Sequence, residues 1–375
     1  MTISLAASDR TRGWPTHGGN LEEIATRYGC APEELIDFSA NVNPAGPPSG
    51  AMSCLAQLVK NRGVLARYPD PDCRALRDAI SAHLGVEPRC IVVTNGSAAL
   101  LDVVLRALRP KRCLLPIPAF SEYYRCLLAA NVECSSFQLD AHHDFKLDVE
   151  AFVRTSTQDR CDFWIISNPH NPSGSAIAPQ PLLELATRAL ELNASLLLDE
   201  AFIDYCPELS LSQSAVTLRN VVVLRSITKF YGLAGLRVGF AVTNPDYADL
   251  LRIQVPSWAV SDLAMAPAIE ALQDRDYAES TLSSCRSERA WLARRLDQLG
   301  LQPFPSAANF LLVRLPAGVP SAMSIRESLI IQYRIVIRDC GSYEGLEHGR
   351  YFRIAVRDHT ANEKLIDALR EVLAS

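Results

Sequence analysis

Ser226-Ile227-Thr228-Lys229-Phe230-Tyr231-Gly232-Leu233-Ala234-Gly235-Leu236-Arg237-Val238-Gly239 is the stretch on which the fold turns. It follows the apolar run 221–224, which reads as the end of a buried strand. The lysine has hydroxyls before it, glycines after it and an arginine eight residues on. That pattern suits an imine-forming lysine beside a phosphate site, because the amine must lose its charge to react and burial near other cations favours the neutral form. Ser226 and Arg237 would hold the phosphate, the arginine through charge-assisted hydrogen bonds. A lone S-x-x-K is more often a surface loop with a solvated lysine, so the flanking sequence decides.

On both sides, from about 90 to 242, short apolar runs alternate with amphipathic stretches. Segments 90–94, 112–115, 132–137, 162–167, 194–199, 220–225 and 237–242 are expected strands, and 97–108, 121–130 and 179–192 carry helical periodicity. Such alternation predicts an α/β fold with a mostly parallel seven-stranded sheet between helices, with ligands at the carboxyl ends of the strands. A charged helical stretch at about 276–300 leads to a small α+β domain, with strands 309–314, 334–338 and 351–356 and helices 321–332 and 360–374. The first 65 residues, rich in Gly, Pro and Asn, read as an arm that packs on something else. The expected division is an arm and start of the small domain at 1–65, a large domain at 66–275, and a linking helix with the C-terminal small domain at 276–375.

Composition narrows the function classes. At 375 residues the chain exceeds what one core usually organises, and 48% hydrophobic with 21% charged residues is a globular balance. A net charge of −5 argues against nucleic acid or an anionic membrane and for small-molecule partners. The eleven cysteines are scattered without C-x-x-C, which points to reduced thiols, and no leader or membrane-length apolar run is seen, which points to the cytoplasm. His142, His143 and His170 lack metal-ligand spacing; they are taken as surface or turn residues, and no metal is expected.

Three further strand ends carry matching chemistry. Asp199 closes an apolar run, where a buried carboxylate needs a partner such as a protonated pyridine nitrogen. Asn171 sits in the turn Asn168-Pro169-His170-Asn171-Pro172-Ser173-Gly174, its amide placed to donate to a phenolic oxygen. Gly96-Ser97 ends a strand and opens a helix, where backbone N–H groups receive phosphate. Each is weak alone.

Together, in this order and spacing, they resemble the fold-type I pyridoxal 5′-phosphate (PLP) enzymes of the aspartate-aminotransferase superfamily over about residues 16–375. The resemblance implies that Lys229 carries PLP as a Schiff base, Asp199 pairs the ring nitrogen and Asn171 contacts the ring oxygen. It further implies that Gly96, Ser97, Ser226 and Arg237 bind phosphate, that Phe120 stacks on the ring, and that Tyr68 reaches the cofactor phosphate of a partner subunit in a homodimer.

Two branches of the superfamily compete, histidinol-phosphate aminotransferases and the threonine-phosphate decarboxylases of cobalamin biosynthesis. The sequence resembles the second more, through His17-Gly18-Gly19-Asn20, Asp37-Phe38-Ser39-Ala40-Asn41-Val42-Asn43-Pro44 and Asp199-Glu200-Ala201-Phe202-Ile203-Asp204-Tyr205. Aminotransferases of this group generally have Tyr where this chain has Phe202. The resemblance nominates His17, Asn41, Asn171, Arg338 and Arg353 for the substrate. Structural alternatives are a solvated turn for His17 and strand salt bridges for the two arginines.

Overall fold

The computed structural model describes residues 18–374. The chain first forms the short strand β1 (Ile36–Asp37). Seven strands follow, β2 (Ile91–Thr94), β3 (Arg112–Ile117), β4 (Glu133–Gln138), β5 (Phe163–Ser167), β6 (Ser195–Asp199), β7 (Val221–Ser226) and β8 (Gly239–Thr243). Five more lie in the C-terminal part, β9 (Gln302–Pro303), β10 (Phe310–Arg314), β11 (Ile335–Val336), β12 (Arg338–Asp339) and β13 (Tyr351–Ala355).

The seven expected strands of the large sheet are all present, in the order β2-β8-β7-β6-β5-β3-β4. Every neighbouring pair is parallel except those made by β8, which runs against β2 and β7. β2, β5, β7 and β8 are buried at every residue, the pattern of a sheet covered on both faces. One apolar layer gathers the helix Ser97–Leu108 against Val92, Leu197 and Val222, and another sets Leu182 and Leu185 against Trp164, Leu196 and Leu198. The parallel strands therefore end along one edge of the sheet, and Thr94, Ile117, Ser167, Asp199 and Ser226 all lie there. β8 starts at that edge two residues later than expected, because Arg237 adopts a left-handed conformation (φ 55°) that a strand cannot include.

Helices begin where side chains satisfy their free N–H groups. Asp148 accepts from Ala151 N at 2.9 Å to open Val149–Asp159, and Asp274 accepts from Tyr277 N at 2.9 Å to open the 24-residue helix Arg275–Gln298. No helix among the described residues is long and apolar enough to cross a membrane. All eleven cysteines are free.

The C-terminal part holds a four-stranded sheet of order β12-β13-β10-β9 around its own core of Leu311, Phe352, Ile354 and Leu365. The single strand expected at 334–338 is split. Ile335–Val336 pairs in parallel with Ile36–Asp37, while Arg338–Asp339 turns to pair with β13, so the backbone serves two sheets within five residues. β9, two residues long, carries no pattern that a sequence could display. The N-terminal segment thus completes the C-terminal region and then crosses to the large sheet. There Asn43 N donates to the Lys229 carbonyl at 3.0 Å, and Asn43 Nδ2 to the Phe230 carbonyl at 2.8 Å.

Candidate active site

The carboxyl edge of the sheet, the N-terminal segment and the small C-terminal sheet enclose a cavity of about 460 Å³. Nine of the residues singled out from the sequence line it: Asn41, Ser97, Phe120, Asn171, Asp199, Lys229, Arg237, Arg338 and Arg353. Gly96 and Ser226 stand just behind the wall. Tyr68 is elsewhere, 76% exposed and stacked on Trp258 at 4.7 Å. His17 lies outside the described residues.

Lys229 follows β7 on a loop braced from behind by the N-terminal segment. Burial, with the guanidinium groups of Arg353 and Arg237 nearby, brings its ammonium down to about 8, while Asp199 acts in the opposite sense. A substantial share of the amine is therefore neutral near physiological pH, as a nucleophile requires.

Asp199 ends β6. Burial raises its carboxyl above the usual range, against hydrogen bonds from Tyr123 Oη to Oδ2 at 2.6 Å and from Ala201 N to Oδ1 at 3.0 Å, and against the charge of Lys229. Among the described residues no salt bridge is formed to it, so the carboxylate at this edge is suited to a cationic ligand atom.

The phosphate end is built on two glycines. A Cβ on Gly96 (φ 84°) would lie 2.7 Å from Arg237 Nη2, and one on Gly239 would lie 2.3 Å from Ser97 N. Only glycine lets the Arg237 guanidinium and the start of the helix Ser97–Leu108 come together, concentrating positive charge and N–H donors. Ser226 is buried, with Oγ 2.6 Å from Thr228 Oγ1, and it is Thr228 that reaches the cavity wall. The hydroxyl pair on this loop was legible, but which member faces the cavity was not.

Arg353 comes from β13, with its Cα opposite Arg338 on β12. Its Nη1 donates to Asn171 Oδ1 at 2.5 Å and its Nη2 to the Ser39 carbonyl at 3.2 Å, while its Nε has no hydrogen-bond partner. With Oδ1 taken, Asn171 presents its NH₂ group as donor. Asn41 Oδ1 is likewise buried without a partner. Arg338 lies 5.7 Å over the Tyr343 ring and donates to Ser342 Oγ at 3.2 Å. Phe202 packs edge-on against Phe310, centroids 5.0 Å apart, and brings no hydroxyl to the site.

His170 corrects an expectation. It is a turn residue but not a solvated one: its Nδ1 meets Ser173 Oγ at 2.7 Å and its Nε2 meets the Pro118 carbonyl at 2.9 Å. The ring pins the Asn171 turn to the loop that carries Phe120, and burial lowers its pKa to about 4, keeping it neutral. Tyr123 and Tyr343 went unnoticed in the sequence. Tyr123 stands three residues after Phe120, the extended N-cap of the helix Ser121–Ala129, but nothing local announces that its hydroxyl meets Asp199.

These residues fit PLP. They provide a lysine poised near neutrality, a carboxylate lacking a cation, a glycine-lined N–H cradle with an arginine, and a ring-sized gap beside Phe120. Comparison with known proteins agrees. The model of the aminotransferase class I and II family matches residues 33–369. The threonine-phosphate decarboxylase of Salmonella typhimurium is 37% identical over 362 residues, covering 95% of this chain and 96% of that protein. Among solved structures, the histidinol-phosphate aminotransferase of Clostridium acetobutylicum superposes with a TM-score of 0.83 at 29% identity, covering 91% of this chain and 99% of that one. The L-threonine-O-3-phosphate decarboxylase of Porphyromonas gingivalis gives 0.79 at 26%, covering 90% and 99%. The chain belongs to the aminotransferase class I and II family, and its cofactor is pyridoxal 5′-phosphate.

Proposed function

We propose that the protein is a PLP-dependent decarboxylase that converts L-threonine O-3-phosphate and a proton to (R)-1-amino-2-propanol O-2-phosphate and CO₂, for cobalamin biosynthesis. The observation that carries this reading is that three arginines, Arg237, Arg338 and Arg353, line one cavity. Arg237 stands at the cofactor-phosphate end beside Gly96, which leaves Arg338 and Arg353 for a phosphorylated substrate. The 37% identity to a threonine-phosphate decarboxylase supports the same choice.

Bound in this cavity, PLP supplies an electron sink for the bond on the substrate Cα that stands perpendicular to its ring. The protein's task is to select that bond. Arg338 and Arg353, with Asn41, would grip the substrate by its phosphate and so turn the carboxylate upright. Arg237, Ser97 and the N–H groups at Gly96 would hold the cofactor phosphate, with Ser226 acting through Thr228, the hydroxyl that reaches the cavity wall. Phe120 would flank the ring, Asn171 would donate to its oxygen, and Asp199 would pair with its protonated nitrogen. Lys229 would hold the cofactor through its amine and, with its pKa brought down to about 8, could carry a proton at the reacting carbon. The cavity is walled from both domains, which limits water at the reacting carbon.

We further propose a cytoplasmic homodimer. Tyr68 and Trp258 form an exposed aromatic pair beside exposed Leu65, a surface suited to burial against a second copy. In that arrangement Tyr68 serves the partner's cofactor phosphate. The division proposed for the chain is 1–65, 66–275 and 276–375, with Phe38 of the first segment packed into the core of the last.

The test is a mass-resolved product assay of the PLP-loaded protein with L-threonine O-3-phosphate and no keto acid. Release of CO₂ and aminopropanol phosphate is expected. Turnover only when histidinol phosphate and a keto acid are supplied would make it a transaminase, the reading favoured by its likeness to the Clostridium acetobutylicum structure.

A further inference from the structure

Two aromatic residues beside Asp199 differ in what they offer the cavity. On one side Phe202 offers no hydroxyl. At the floor, Tyr123, 2% exposed, points its hydroxyl at Asp199 Oδ2 from 2.6 Å, within the short range of a charge-assisted O–H···O⁻ bond. The next residue, Tyr124, turns away and donates instead to Glu344 Oε2 at 3.0 Å. Two neighbouring tyrosines on one helix thus serve different ends of the site, and only the first touches the residue that faces the cofactor nitrogen.

We infer that Tyr123 is a positioning residue for the cofactor: its hydroxyl holds the Asp199 carboxylate ionised and aimed into the cavity, so that the shared proton stays on the ring nitrogen. The geometry permits little else. Oδ1 is held by Ala201 N at 3.0 Å, which fixes one end of the carboxylate to the backbone, and Tyr123 fixes the other. The tyrosine ring is set in turn by Phe120, edge-to-face at 5.7 Å and 89°, so the ring that flanks the cofactor and the hydroxyl that steers its counter-ion enter together at the start of one helix. Burial pushes the Tyr123 phenol well up, so it remains a donor throughout the working pH range. Burial also makes Asp199 reluctant to ionise, and the Tyr123 bond is the foremost influence opposing that reluctance. Without it the carboxylate becomes more basic and draws the proton from the ring nitrogen to itself, which weakens both the ion pair and the electron sink.

The inference rests on the cofactor and not on the choice of substrate, and PLP affinity reads it without turnover. Stripped protein is titrated with PLP, following the visible absorbance and the quenching of tryptophan fluorescence. Tyr123→Phe is expected to raise the dissociation constant about tenfold or more, the usual weight of a hydrogen bond to a buried charge. Tyr124→Phe is expected to leave it within about twofold, because a hydroxyl directed at Glu344 has no part in the ion pair. On an Asp199→Asn background the Tyr123→Phe effect is expected to shrink below about threefold, since the charge it steers is gone. Fluorotyrosine at position 123, a stronger donor of nearly the same shape, is expected to tighten binding, which keeps the idea testable if Tyr123→Phe folds poorly. An unchanged constant in Tyr123→Phe, the same loss with and without the Asp199 charge, or weaker binding with fluorotyrosine would overturn it. If stripped wild-type protein takes up no PLP at all, it is the cofactor assignment that fails.

Discussion

Asp199 and Glu200 are consecutive residues at the end of one strand, and they belong to two different regions. Glu200 faces away from the cavity into a closed cluster, where it accepts from Ser210 Oγ at 2.6 Å, Leu211 N at 2.7 Å and Ser212 Oγ at 3.2 Å. The guanidinium of Arg225 lies 3.6 Å away and binds Asp204 Oδ1 at 2.6 Å. Asp199 has two donors and no salt bridge among the described residues. Both carboxyls are raised by burial, so burial alone does not separate a scaffold charge from a working one. What separates them is whether the protein itself completes the set of partners. Glu200 is finished by the chain, whereas Asp199 is finished by a ligand.

The largest effect expected from this contrast falls on the cavity side. Lys229→Ala should abolish the visible band of the bound cofactor and lower turnover by roughly a thousandfold or more, while leaving the thermal unfolding of the stripped protein nearly unchanged. Retention of the band would remove Lys229 from the site. The next effect sets the two neighbours directly against each other. Glu200→Gln should destabilise the stripped protein by about 2–3 kcal/mol, because it leaves Arg225 undercompensated in a buried cluster. Asp199→Asn should be neutral or slightly stabilising without PLP, since it removes a charge that the chain leaves unpaired. Chemical denaturation of the two variants decides, and equal losses would erase the distinction. The comparable effect at His170 depends on pH. Its two ring nitrogens are both used inside the protein, so it belongs with Glu200 as scaffold. Its pKa falls from about 6.5 in an unfolded chain to about 4, so the unfolded chain binds the proton first. Stability is therefore complete above about pH 6.5 and is lost as the pH falls towards 4, by up to about 3 kcal/mol. His170→Asn should cost stability at pH 7, with the gap to wild type narrowing at pH 4.5; a constant gap would mean that the ring is not held neutral.

The same contrast explains what was legible in the sequence. Lys229, Asp199, Asn171 and Ser97 each stand at the end of an apolar run, and a run followed by a lone polar group is a pattern a sequence can display. The large sheet was readable for the same reason, since fully buried strands such as β5 and β7 are unbroken apolar runs. Tyr123 was not readable, because its role depends on a contact 76 positions along the chain and a tyrosine on a helix face is ordinarily core. The partition of 334–338 between two sheets was hidden likewise, for Ile335 and Arg338 acquire different strand partners only after the chain has folded back. The burial of His170 in its turn was not readable either, because its partners are Ser173 within the turn and the Pro118 carbonyl from a loop 52 positions away.

The pairing of β1 with β11 has a consequence for how the protein is made. Ile36 and Asp37 leave the ribosome early, yet their partners Ile335 and Val336 are translated roughly 300 residues later, an interval of about 15–60 s at ordinary elongation rates. The large sheet can assemble while synthesis continues. The nascent chain must meanwhile keep Ile36–Asp37 from engaging anything else until Ile335–Val336 emerge. Birth order and spatial order are opposed here, since the small C-terminal sheet region is closed by two segments made far apart in time.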